Sequence, residues 1–169
     1  VENPSAFGVV VLDDSGRVLR FVEKPPPGTE SSNLINAGTY VLEPSVIDRI
    51  AEGRKVSVER EVFPLMVADG SLFGMHTADY WLDTGQPHLY LQANLDALDG
   101  RRTHVRCDPV APGAAVDATA RVQHSLVGAG ATVSAGAEIR DSVLLSGASV
   151  GEGAVVVASL VAGTIGAGA

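Results

Sequence analysis

The sequence predicts an α/β region followed by a parallel β-helix, and three observations carry that prediction. The aromatic residues, four Phe, three Tyr and one Trp, all fall between Phe7 and Tyr90. From position 110 onward, apolar residues recur with a period of 17 residues. Up to position 100, apolar runs are instead divided by Gly and Pro into short strand-like and helix-like pieces. The two parts must bury themselves by different means. The expected boundaries are an α/β region over 1–100, a linker over 101–108 and a β-helix over 109–169.

In the first part, residues 7–12 read as a strand and Asp13-Asp14-Ser15-Gly16 as a turn. Residues 17–23 alternate like the hairpin partner of that strand. Pro25-Pro26-Pro27-Gly28 forces a loop. Residues 34–42 read as a further strand, and Pro44 opens a helix reaching Gly53, because its missing N–H costs nothing at a first helical position. Ser57 caps a second helix with Glu59 and Glu61 in its first turn, where carboxylates favour the helix dipole. Short strands are expected over 71–77 and 79–82, then a helix capped by Thr84 and running to Leu98. These strands read as the later part of a doubly wound, Rossmann-like sheet, so further sequence upstream is expected.

In the second part the apolar positions are Val110, Val116, Val122, Val127, Val133, Ile139, Leu144, Val150, Val156 and Val161. Their steps are 6, 6 and 5, repeated. Such a step is neither helical nor a simple alternation. It means a short strand and a turn, with one side chain per step aimed inward. Three steps close a triangular coil, and stacked coils pair their backbones in parallel. Ser125, Ser142 and Ser159 keep the same period, as do Gly113, Gly130 and Gly147. So narrow an interior has no room for aromatic rings. The pattern resembles the left-handed β-helix of hexapeptide repeats.

Composition excludes several classes. Apolar residues make up 46% of the chain and charged residues 19%, enough apolar material for a core. No apolar run approaches the roughly 18–20 residues of a spanning helix, so no membrane is expected as a partner. The net charge is −8 and neither part is basic, which argues against nucleic acid. The single Cys107 forms no internal disulfide, which fits a reducing, cytoplasmic setting. The first residues resemble no signal peptide. His76, His88, His104 and His124 lack metal-ligand spacing and are expected in ordinary surface or packing roles.

Three places carry candidate chemistry. Glu23-Lys24-Pro25 closes a strand at the start of a loop, where α/β sheets bind ligands. There a Lys suits a phosphate and a Glu suits hydroxyl groups; a solvated surface pair is the alternative. Asn36-Ala37-Gly38 sets a polar amide in an apolar run, where it needs a partner. Tyr80-Trp81-Leu82-Asp83-Thr84-Gly85 places a carboxylate ahead of a helix, where it either assists the cap or, with phosphate oxygens, suits Mg²⁺.

Taken together these motifs resemble the sugar-1-phosphate nucleotidyltransferase family, within it the mannose-1-phosphate guanylyltransferases. The resemblance runs over residues 1–98 and rests on five ordered stretches. They are Glu2-Asn3-Pro4-Ser5-Ala6-Phe7-Gly8, Phe21-Val22-Glu23-Lys24-Pro25, Ile35-Asn36-Ala37-Gly38-Thr39-Tyr40, Ser57-Val58-Glu59-Arg60-Glu61-Val62-Phe63-Pro64 and Trp81-Leu82-Asp83-Thr84-Gly85-Gln86-Pro87. The resemblance implies an enzyme joining a nucleoside triphosphate to a sugar 1-phosphate with release of pyrophosphate, GTP and mannose 1-phosphate being the first pair. It implies Lys24 and Asp83 as catalytic side chains, and Gly8, Glu23, Lys24, Asn36 and Gly38 as the sugar-phosphate pocket. Asp83 is implied as a ligand of Mg²⁺, and the β-helix as a surface for homo-oligomer contacts or regulation.

The family's glycine-rich phosphate loop and first metal-binding Asp have no counterpart in residues 1–169. These residues alone are therefore expected to be inactive. Thymidylyl, adenylyl or uridylyl transfer to glucose 1-phosphate and a non-catalytic regulatory homologue are the alternatives. A β-helix acyltransferase using His124 is a more distant one.

Overall fold

The computed structural model describes residues 1–102, 105 and 107–169. His104 and part of the expected linker lie outside the described residues. By its contacts the chain divides into two compact units, Val1–Asp79 and Tyr80–Ala169.

The first unit is built on the expected hairpin. Strand β1, Gly8–Leu12, pairs antiparallel with β2, Val18–Glu23, in a register that sets Gly8 opposite Glu23. Asp13 makes the turn, its Oδ1 accepting the amides of Ser15 and Arg17 at 2.9 and 3.0 Å. The strand expected over 34–42 is corrected to a single antiparallel bridge, Val9 with Ile35. Its cause is local. Asn36 Oδ1 accepts the Gly38 amide at 3.0 Å, and Gly38 takes a φ of +77°, which turns the chain out of the sheet. Val41 is then fully exposed.

The helix expected over 44–53 is likewise shorter, a 3-10 helix at Pro44–Arg49. Ser57 does cap a helix. Its Oγ accepts the Arg60 amide at 3.3 Å, and Glu61 Oε1 accepts the Ser57 amide at 3.1 Å in return. The first turn, Val58–Val62, is a π turn that passes into α1, Phe63–Ala68. Val46, Val62, Phe63 and Met66 form this unit's small core, with Phe21 edge-on to Phe63 at 5.4 Å. The strand expected over 71–77 is reduced to one bridge, Arg17 with Phe73.

Residues 79–82 form no strand, and in the second unit the Tyr80 hydroxyl instead donates to Asp96 Oδ2 at 2.8 Å. Helix α2, Pro87–Leu98, starts at Pro87 with no side-chain cap, so Thr84 does not cap it. The helix packs against two strands of the β-helix, Leu126–Val127 and Leu160–Val161.

The β-helix has three faces. One stacks β3 Ala115–Val116, β6 Thr132–Val133, β9 Ser149–Val150 and β12 Thr164–Ile165. The second stacks β4 Arg121–Gln123, β7 Glu138–Arg140 and β10 Val155–Val157. The third stacks β5 Leu126–Val127, β8 Val143–Leu144 and β11 Leu160–Val161. All the pairings are parallel. Val133, Val150, Ile139, Val127 and Leu144 are each at most 3% exposed, as the 17-residue columns require. Burial of each such side chain contributes about 1.5–3 kcal/mol.

The corners are filled by Ala131, Ala137, Ala148 and Ala154, all with no exposed surface. Alanine suits these four positions, because a larger side chain has no space there. The period breaks once. Ile165, not Ala167, lies beside Val150, so the last repeat is two residues shorter than its predecessors. No helix among the described residues is long and apolar enough to cross a membrane.

Candidate functional site

Two of the residues singled out in the first unit, Glu23 and Asn36, converge on Gly8. It is buried, and a Cβ built on it would lie 2.8 Å from Glu23 Oε2, 2.8 Å from Phe21 Cζ and 3.3 Å from Asn36 Cβ. Strand register brings Glu23 there, and the Asn36 amide donates to the Gly8 carbonyl at 2.8 Å. The Gly8 site is thus closed to any side chain at position 8 and lined by a carboxylate and a carboxamide.

Lys24 follows at the strand end. Its amide donates to the Phe7 carbonyl at 3.0 Å, and its φ of +50° bends the chain into the proline loop. That left-handed conformation is unusual for Lys, and the buried Pro25 follows it. Among the described residues, neither the half-buried Glu23 carboxylate nor the exposed Lys24 ammonium has a side-chain hydrogen bond or ion pair. The two do not pair with each other either, so they are not the surface salt bridge that was the alternative.

Asn36 is fixed at both ends. Its Oδ1 accepts from Gly38, and its Nδ2 donates to the Tyr40 hydroxyl at 2.6 Å. The Tyr40 hydroxyl in turn donates to Glu59 Oε1 at 3.5 Å. Partial burial pushes the Tyr40 phenol above its ordinary value, and the charge of Glu59 adds to this against the opposing bond from Asn36. The Tyr40 ring rests edge-on against Phe63 at 5.0 Å. The sequence reading missed the roles of Tyr40 and Glu59. The four-residue step from Asn36 to Tyr40 was a usable signal, whereas the 19-residue separation of Tyr40 and Glu59 left none.

Asp83 belongs to the second unit. It is exposed, and its Oδ1 accepts the Gly85 amide at 2.9 Å, an Asx turn rather than a helix cap. Among the described residues no three His, Cys, Asp or Glu side chains are grouped to hold a metal ion. One exposed carboxylate does not amount to a magnesium site, so these residues by themselves do not fit that ion. His124 is fixed between Asp141 and Asp99, at 2.6 and 3.0 Å from its two ring nitrogens. With both nitrogens occupied it offers no free base, which weighs against acyl transfer.

Comparison with known proteins agrees with this layout. A nucleotidyl transferase family model matches residues 1–100, and a GlmU-like C-terminal hexapeptide model matches residues 94–165. The mannose-1-phosphate guanylyltransferase of Mycobacterium tuberculosis is 47% identical over 104 residues, covering 59% of this chain and 28% of that protein. Mannose-1-phosphate guanyltransferase beta-B of Xenopus laevis is 41% identical over 128 residues, 72% of this chain and 35% of its own length. The probable mannose-1-phosphate guanylyltransferase 1 of Oryza sativa subsp. japonica is 43% identical over 128 residues, with 75% and 34% covered. The chain spans about a third of the length of the curated relatives it matches. With the hairpin, the Gly8 site and the β-helix all falling inside the matched stretches, the chain belongs to the nucleotidyl transferase family.

Proposed function

We propose that this chain supplies the sugar-phosphate side of an enzyme that makes a nucleotide sugar, GTP and mannose 1-phosphate being its substrates. A phosphate oxygen of the sugar 1-phosphate attacks the α-phosphorus of the triphosphate. A new P–O bond forms there, the bond from the α-phosphorus to its bridging oxygen breaks, and pyrophosphate leaves with that oxygen. The work of the protein in such a step is positioning and charge neutralisation.

One observation carries the reading. Glu23, free of side-chain partners among the described residues, meets Asn36 at Gly8, where even a Cβ would crowd both, and Lys24 follows Glu23 at the strand end. In this proposal Glu23 accepts from sugar hydroxyls and the Lys24 ammonium neutralises the attacking phosphate. Asn36 and Gly38 line the pocket. Asp83 would contribute to holding Mg²⁺ only together with ligands that the described residues do not supply. The names of the relatives support mannose and guanylyl specificity. A cytoplasmic setting and self-association through the β-helix complete the proposal.

The test is a panel of triphosphates and sugar phosphates, scored by pyrophosphate release, on the longer protein that carries this chain. Turnover is expected with GTP and mannose 1-phosphate, and preference for another pair would overturn the specificity. Residues 1–169 alone are expected to release none, and detectable release by them would overturn that part.

A further inference from the structure

We propose that His124 is a pH-dependent clasp fastening the end of α2 to the β-helix. The proposal is independent of the roles given to Glu23, Lys24 and Asp83. His124 and Asp141 occupy the same corner of successive coils, and both have left-handed backbone, with φ of +43° and +49°. His and Asp are among the few side chains enriched in that conformation. The third coil has Ala158 at this corner, with a φ of +46°, so this corner carries an ionisable side chain only on the first two coils.

The geometry specifies a protonation state. His124 Nδ1 lies 2.6 Å from Asp141 Oδ1, and Nε2 lies 3.0 Å from Asp99 Oδ1. Carboxylates only accept, and a neutral imidazole has a single N–H. Both contacts are hydrogen bonds only when the ring is an imidazolium. Loss of the proton turns one of them into a lone pair facing a carboxylate, and the clasp opens on that side.

The surrounding charges favour the closed form. Asp141 faces the ring from the next coil, and Asp99 faces it from the end of α2. Arg101, two residues beyond Asp99, is engaged by Asp99 at 3.7 Å and by Asp96 at 3.0 Å. The bond to Asp141 is the largest influence raising the His124 pKa, partial burial opposes it, and Asp99 adds to the rise. A raised folded-state value means the contribution is complete below the ordinary histidine value of about 6.5. It is lost as pH rises through the higher folded value. The clasp is therefore closed in acid and opens toward alkaline pH.

The experiment is a pH titration of the ¹⁵N-labelled 169-residue chain, following the His124 ring nitrogens by NMR and hydrogen exchange of the amides of Asp99, Gly100 and Arg101. His124 is expected to titrate above about 6.5, with both nitrogens protonated at pH near 6. Protection of those three amides, corrected for intrinsic exchange, is expected to fall several-fold as His124 loses its proton. Asp99→Asn and Asp141→Asn should each lower the His124 titration. His124→Asn, which tolerates the left-handed corner, should abolish the pH dependence of protection. A wild-type His124 that titrates at or below the ordinary value overturns the proposal, whatever the variants do. Protection that does not change across its titration overturns it too.

Discussion

The backbone amide of Ser142 donates to the hydroxyl of Ser125, 3.0 Å away and one coil earlier. Ser125 Oγ in turn donates to the Gln123 carbonyl at 2.7 Å, so one hydroxyl closes its own corner and receives the next coil. Ser142 repeats the arrangement with the Arg140 carbonyl and the Ser159 amide. Ser125 and Ser142 are at most 1% exposed, so the Ser142 amide cannot turn to water. Ser125→Ala leaves the buried Ser142 amide without a partner and is expected to cost about 1–3 kcal/mol. Ser159→Ala removes only an exposed bond to the Val157 carbonyl and should cost less. Urea denaturation of the two variants measures the difference, and equal midpoints would contradict the ladder.

Two glycines of a single corner serve different needs. A Cβ on Gly128 would lie 2.8 Å from the Leu144 carbonyl oxygen and 2.8 Å from the Ser146 nitrogen, both backbone atoms of the next coil. Gly130 has open space around it but a φ of +68°. Gly128→Ala should cost about 1–3 kcal/mol through overpacking. Gly130→Ala should cost roughly 1–2 kcal/mol through its backbone conformation. Asn tolerates the left-handed region, so Gly130→Asn should recover part of that loss while Gly128→Asn recovers none. Thermal melts of the four variants separate sterics from conformation.

The β-helix was legible because its constraint repeats. Each inward Val or Leu is checked by another 17 residues away, so the register followed from spacing alone until the short repeat at Ile165. The first unit offered no such redundancy. Residues 34–42 have the composition of a strand, yet one side-chain bond from Asn36 to the Gly38 amide is enough to turn the chain away. Glu23, Asn36 and Gly8 were each visible as motifs, but their convergence depends on strand register and could not be read from spacing. Asp96 went unnoticed for a similar reason. It is 6% exposed and collects Tyr80, Gln92 and Arg101; helical spacing marks Gln92, one turn earlier, but neither Tyr80 nor Arg101, which lie outside the helix.

Gly8 provides a direct test of the pocket. A methyl group there would meet the Glu23 carboxylate and the Phe21 ring at 2.8 Å. Gly8→Ala is expected to displace Glu23 and lower kcat/KM for the sugar phosphate in the longer protein by roughly tenfold or more, the equivalent of about 1.4 kcal/mol. Glu23→Gln keeps the shape and loses the charge, so it should raise KM with little effect on the melting temperature. If Gly8→Ala leaves KM and kcat intact, the pocket lies elsewhere.

Tyr40 separates ligand positioning from stability. Its ring packs edge-on against Phe63, while its hydroxyl joins Asn36 to Glu59. Tyr40→Phe keeps the ring contact and removes only the hydroxyl. Tyr40 is 39% exposed, so water can replace the lost bonds and the melting temperature should change little. Asn36, however, loses the acceptor that fixes its amide, at about 0.5–1.5 kcal/mol for a single hydrogen bond. The expected result is a rise in KM for the sugar phosphate of roughly threefold to tenfold. Asn36→Ala should raise KM at least as far, because it removes the group that Tyr40 orients. A Tyr40→Phe enzyme that melts several degrees lower with an unchanged KM would mean that the hydroxyl serves the fold rather than the pocket.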